Sequence, residues 1–150
     1  MPNDCYNKVS ISGDEKDIAK IKKLLSKGKR KTANVFNFAN IIEEPDWDKT
    51  PNEDGELPVV EKTEAFKFRK FPSSDEHDDR WYNWRLDNWG TKWNSYDCDL
   101  VEEDSDRLEY VFFTAWSPPC PVIDALRNKF PELYISAFYD EPAMELAGYY

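Results

Sequence analysis

Residues 107–116, RLEYVFFTAW, put large apolar side chains on both faces of one strand. Leu108, Tyr110, Phe112 and Trp116 alternate onto one side, and Val111, Phe113 and Ala115 onto the other. A one-sided strand alternates apolar with polar, so this pattern predicts a central strand in a sheet. The rest of the chain must supply its neighbours.

Those neighbours are legible. In CYNKVSIS (5–12), Cys5, Asn7, Val9 and Ile11 point one way, and Tyr6, Lys8 and Ser10 the other, which predicts a strand with one buried face. In 93–101, Tyr96, Cys98 and Leu100 oppose Ser95, Asp97 and Asp99, and the acidic EEDSD (102–106) reads as a hairpin loop. Two last strands, 133–139 and 144–150, flank the turn DEPA.

Helices lie between. Ser12 with Glu15, or Asp14 with Asp17, can cap a helix whose stripe is Ile18, Ile21, Leu24 and Leu25, fading at Ser26–Gly28. Ser117 and Pro118 start a second, striped by Val122, Ile123, Leu126 and Phe130 and stopped by Pro131. A third, over 78–90, is capped by Asp78 or Asp79 and ended by Gly90 in a left-handed conformation. NVFNFANII (34–42) reads as a short strand. From about 43 to 80, Pro45, Pro51, Pro58 and Pro72 punctuate an acidic stretch, read as an irregular insertion with one strand at 65–71. The order predicts one α+β domain over 1–150. It is a ferredoxin-like split βαβ sandwich with an antiparallel sheet and helices on one face.

WYNWRLDNWGTKW (81–93) holds four of the six tryptophans. Helical spacing assigns Trp81, Trp84, Trp93 and Trp116 to the core. Trp89, and Trp47 in the acidic insertion, are the expected exposed anchors for a protein partner.

Charge is uneven. Residues 1–40 carry nine Lys and Arg against four Asp and Glu, and residues 41–150 carry eleven against twenty-six. The acidic body would repel phosphates and argues against nucleic acid. It suits a partner with a basic surface. Asp75, Glu76, Asp78 and Asp79, with Glu102, Glu103 and Asp104, are the candidate acidic contacts beside Trp47 and Trp89. The alternative is a nucleic-acid patch at Lys27, Lys29, Arg30 and Lys31, working with sheet aromatics such as Tyr110, Phe112 and Phe113.

The chemistry of catalysis finds no foothold. Cys5, Cys98 and Cys120 are sparse and far apart, which fits small buried hydrophobes in a reducing compartment. His77 lies among consecutive acids without calcium-loop spacing, so no metal site is assigned. There is no GxxxxGK[ST] or GxGxxG. Three of the first four residues of the 118 helix are proline, which removes donors an anion would need. No catalytic residue and no cofactor is assigned. No apolar run is long enough to span a bilayer and no secretory signal is visible, so a cytoplasmic, membrane-free protein is expected.

Five blocks, MPNDCYNKVSISG, FNFANIIEEP, WYNWRLDNWGTKW, TAWSPPCPVIDALRNKFPEL and YDEPAMELAGYY, resemble the YubB-type ferredoxin-like family of small plasmid- and phage-encoded proteins. They cover well over half the chain in the family's order, and residues 43–80 match least. The resemblance implies a ferredoxin-like domain without an iron–sulfur cluster, carried by a mobile element. It implies no reaction and no functional residues. The expectation is therefore a non-enzymatic accessory protein that binds a host or defence protein in a bacterial cytoplasm, as an acidic DNA-mimic-type inhibitor.

Overall fold

The computed structural model describes residues 2–28, 34–74 and 76–150. They fall into two compact units: Met1–Glu43 with Arg85–Tyr150, and Glu44–Trp84.

The first unit is built on a five-stranded antiparallel sheet. Its strands are β1 (Asp4–Ser12), β5 (Tyr96–Asp104), β6 (Arg107–Ala115), β7 (Tyr134–Glu141) and β8 (Leu146–Tyr149), in the order β5-β6-β1-β7-β8. β6 lies between two strands, as its two apolar faces predict. Helices α1 (Glu15–Leu25) and α3 (Cys120–Lys129) follow β1 and β6. Asp14 caps α1 by accepting from the Lys16 amide, and Ile18, Ile21 and Leu25 are buried. Cys5, Val9, Ile11, Leu108, Tyr110, Phe112, Ile135 and Ala137 bury the sheet's inner face, as do Val122, Ile123 and Leu126 of α3. Phe36 stacks on Phe112 at 4.7 Å, and Phe38 meets Phe112 and Trp89 edge-on at 5.8 and 5.9 Å, so rings fill one end of this core.

Local departures have local causes. Residues 34–42 do not form a strand. Asn34 and Asn37 each accept from the amide two residues on, from Phe36 and Ala39, and these turns end in a single 3-10 turn, Phe38–Asn40. Asn94 then accepts from the Phe38 amide and donates to Asn37. The predicted hairpin loop is shorter than five residues: β5 and β6 run to Asp104 and from Arg107, which pair across a two-residue turn. β5 carries bulges between Tyr96 and Asp99 and between Leu100 and Glu102, with Asp97 at φ +49°, so strict alternation fails there. α3 starts at Cys120 with Pro119, which has no side-chain acceptor, at its N-cap; Ser117 lies further upstream and its Oγ donates to the Gly90 carbonyl.

Helix α2 (Arg80–Trp89) ends as predicted at Gly90, φ +79°. A Cβ there would lie 2.8 Å from Pro121 Cδ and 3.2 Å from the Pro118 carbonyl oxygen. Gly55 has the same φ and open space around it. Gly90→Ala is expected to cost about 2–3 kcal/mol, strain plus clash, against about 1 kcal/mol for Gly55→Ala, strain alone, in paired urea melts.

The second unit is not irregular. It holds its own antiparallel sheet of β2 (Val59–Lys62), β3 (Lys67–Phe71) and β4 (Glu76–His77), in that order, and a 3-10 turn at Trp47–Lys49. Arg80 organises it. Its guanidinium binds both Asp78 oxygens and the carbonyls of Thr50 and Pro51, and lies 5.1 Å from the Trp47 and Phe71 ring centres. No helix among the described residues is long and apolar enough to cross a membrane.

Candidate interaction surface

The two faces of the five-stranded sheet differ. The inner face carries the core. The outer face is described by its cross-strand rows, read from the register. One row is Tyr149, Phe138, Lys8, Val111 and Asp99, and the next is Ala147, Asp140, Tyr6, Phe113 and Tyr96. A third is Ser136, Ser10, Glu109 and Glu102, and a fourth is Tyr134, Ser12, Arg107 and Asp104. Tyr134 and Tyr149 are 72% and 78% exposed, and Tyr6, Phe113 and Phe138 are partly so. The Val111 and Phe113 side of β6 is thus lined by aromatics but open, not the second buried face its apolar residues suggest.

Ring contacts order this surface. Tyr6 meets Phe113 edge-on at 5.9 Å, Phe113 stacks with Tyr96 at 6.1 Å, and Phe138 meets Tyr149 at 5.2 Å. Between these groups lies a cleft of about 470 Å³ lined by Tyr6, Lys8, Ser10, Arg107, Glu109, Ser136, Phe138 and Tyr149. Glu109 is its charged centre. It accepts from Ser10 Oγ at 3.1 Å and lies 3.5 Å from Lys8 and 3.7 Å from Arg107. Around the aromatics stand Asp4, Asp99, Glu102, Asp104, Glu109 and Asp140, against Lys8 and Arg107. The face is therefore aromatic with an acidic rim.

The residues singled out from sequence scatter. Trp89 is 2% exposed: its indole donates to the Ile42 carbonyl, and Arg85 lies over its ring. Trp47 is 8% exposed, bonded to Glu44 and packed edge-on against Trp84. The expected exposed anchors are core residues, whereas Trp93 and Trp116, expected in the core, are 37% and 45% exposed. Trp116 leaves the β6 pattern because its φ is +70°. Asp78 is buried and held by Arg80, so it is not a surface acid. Glu76 and Asp79 are exposed, and Asp75 lies outside the described residues. The 102–104 acids divide: Glu102 and Asp104 belong to the open face, while Glu103 pairs with Lys22 of α1 on the other. Lys27 is exposed after α1, and Lys29, Arg30 and Lys31 lie outside the described residues. Of the three sheet aromatics named from sequence, Tyr110 and Phe112 are buried and Phe113 faces out.

Burial pushes the thiols of Cys5 and Cys98 up to about 11, so both stay protonated at neutral pH. Cys120 is exposed, unlike the buried role expected of it. His77 stacks on Phe68 at 5.4 Å. Among the described residues no group of three or more His, Cys, Asp and Glu is placed to hold a metal.

Comparison with known proteins addresses the fold. Residues 88–150 match the family model described as the ferredoxin-like domain in Api92-like protein. The fold is ferredoxin-like. The crystal structure of protein Api92 from Yersinia pseudotuberculosis superposes with a TM-score of 0.61 at 10% identity, covering 99% of this chain and 93% of that one. At that identity the likeness is one of fold alone. No curated protein matches. Within this ferredoxin-like frame, β5, β6, α3, β7 and β8 fall in the matched residues, while β1, which supplies Tyr6 and Lys8, precedes them.

Proposed function

We propose that this ferredoxin-like chain is a non-enzymatic binding protein whose open sheet face docks on a protein partner with a basic surface. One observation carries the reading: the exposed ring of Tyr149 and the partly exposed rings of Tyr6, Phe113 and Phe138 are surrounded by more carboxylates than cations. Exposed aromatics supply contact area, and a rim of one charge sign selects the partner and speeds its approach. The resemblance to YubB-type proteins supports an accessory role for a phage or plasmid, with a host or defence protein as target and inhibition by occupying a nucleic-acid-binding groove.

A nucleic-acid reading keeps one supporting feature, since Lys8 and Arg107 stand beside stackable rings. The six carboxylates on the same face weigh against it, because phosphate contacts dominate such binding. The test is a pull-down from bacterial lysate eluted in salt steps. A basic protein released at low to moderate salt is expected, and Asp99→Asn/Glu102→Gln/Asp140→Asn should weaken its capture about ten-fold or more and flatten the salt dependence. Unchanged capture by that variant, or recovery of nucleic acid alone, would overturn the reading.

A further inference from the structure

Beyond the Phe113–Tyr96 stack, the open face ends in a hollow of about 510 Å³ lined by Pro2, Asp4, Trp93, Asn94 and Tyr96, with mostly apolar walls. Trp93 and Tyr96 form a corner: their ring centres are 6.4 Å apart and their planes 70° apart. The Tyr96 hydroxyl donates to Asp4 Oδ1, which sets a carboxylate on a third side. That bond also leaves the phenol ring electron-rich. Trp93 already attracts a cation, since the Lys92 ammonium lies 4.6 Å from its ring centre. Two aromatic rings meeting at 70° and a carboxylate line one apolar space, and such a set of groups suits an organic cation.

We infer that this corner binds a quaternary ammonium head group. The apolar walls decide between ammonium types. A bare ammonium carries three strong donors and loses water on entering, with one Asp4 oxygen already engaged by Tyr96. A trimethylated ammonium keeps its charge, has no donor to leave unmet, and buries methyl groups against the indole. This inference is independent of the proposed protein partner, because its ligand is a small cation.

The experiment titrates choline and Nα-acetyl-trimethyllysine amide into the full chain at constant ionic strength, following the Trp93 indole N–H by NMR. The two ligands put the same head group on different stems, and the tighter one indicates its source. A saturable shift is expected, about ten-fold weaker for unmethylated Nα-acetyl-lysine amide. Trp93→Ala, which removes an exposed ring, and Asp4→Asn, which keeps the shape and deletes the charge, should each weaken choline binding about ten-fold, the former read from the Tyr96 ring signals. Trp116→Ala, outside the hollow, should leave it unchanged. A non-saturable shift, equal response to the unmethylated amide, or undiminished binding by Trp93→Ala overturns the inference. Loss of the protein partner in the pull-down would not touch it.

Discussion

Phe112→Ala should lower the free energy of unfolding by about 3–5 kcal/mol, while Phe113→Ala, one residue along, should change it by less than about 1.5 kcal/mol. Phe112 is 1% exposed, stacked on Phe36 and edge-on to Phe38. Its removal deletes buried area and leaves a cavity walled by rings that cannot collapse into it. Phe113 points to the open face, where its loss exposes Tyr6 and Tyr96 but creates no cavity. Urea denaturation followed by far-ultraviolet circular dichroism measures both. Equal costs would mean that β6 is covered on both sides and that the open face does not exist.

Arg80→Ala should destabilise the second unit by about 2–4 kcal/mol, read as faster hydrogen exchange at the β3 amides. The Asp78 side chain is 1% exposed and that of Arg80 25%, so the cost falls below that of a fully enclosed pair. The substitution strips a buried carboxylate of its partner, removes donors from the Thr50 and Pro51 carbonyls, and takes a cation from between Trp47 and Phe71. The pH dependence has a defined sign. Burial alone would raise the Asp78 pKa, but its hydrogen bonds and charge interaction with Arg80 bring it below the usual 3.8. A lowered pKa contributes stability above about pH 4, lost as pH falls through the folded value. Without Arg80, burial dominates and the sign reverses. The difference between wild type and variant should therefore be largest at pH 7, start to shrink above about pH 4 as the variant's raised Asp78 protonates, and shrink further as pH falls through the lowered wild-type value. A difference that grows on acidification would contradict this account of the pair.

The frame of the fold was readable because its signals are local and redundant. β1 alternates cleanly, α1 has a stripe and a cap, and Gly90 stops α2. What escaped depends on distant partners. Asn34 and Asn37 look like strand residues until their side chains turn back on the chain, and Asn94, fifty-seven residues beyond Asn37, holds the result. Trp89 is core because Phe38 and Ile42 arrive there, and nothing in NWGTKW announces them. The first β5 bulge moves Asp99 onto the face of Tyr96 and Leu100 off it, against the period-two expectation, and the second restores the phase so that Glu102 joins Tyr96.

The candidate surface escaped for a related reason. Val111 and Phe113 mark an apolar face, but one strand does not say whether a second layer covers it. Only the register shows that Tyr6, Phe113, Phe138 and Tyr149 share that face with Glu109 and its two cations. Acid content was visible as a total. Its separation into Glu102 and Asp104 on the open face and an exposed Glu103 on the helix side was not. The likeness to Api92 at 10% identity makes the same point: patterning carries the fold, while individual side chains carry the surface.

The measurement that tests the central claim most directly is an NMR titration of the full chain with a lysine- and arginine-rich peptide and, separately, with a single-stranded oligonucleotide of equal length. At low salt the account predicts that the peptide shifts the amides of Tyr6, Lys8, Phe113, Phe138 and Tyr149, that added salt reverses the shifts, and that the oligonucleotide leaves them in place. Shifts confined to other elements, or an oligonucleotide that moves the open face while the peptide does not, would contradict it.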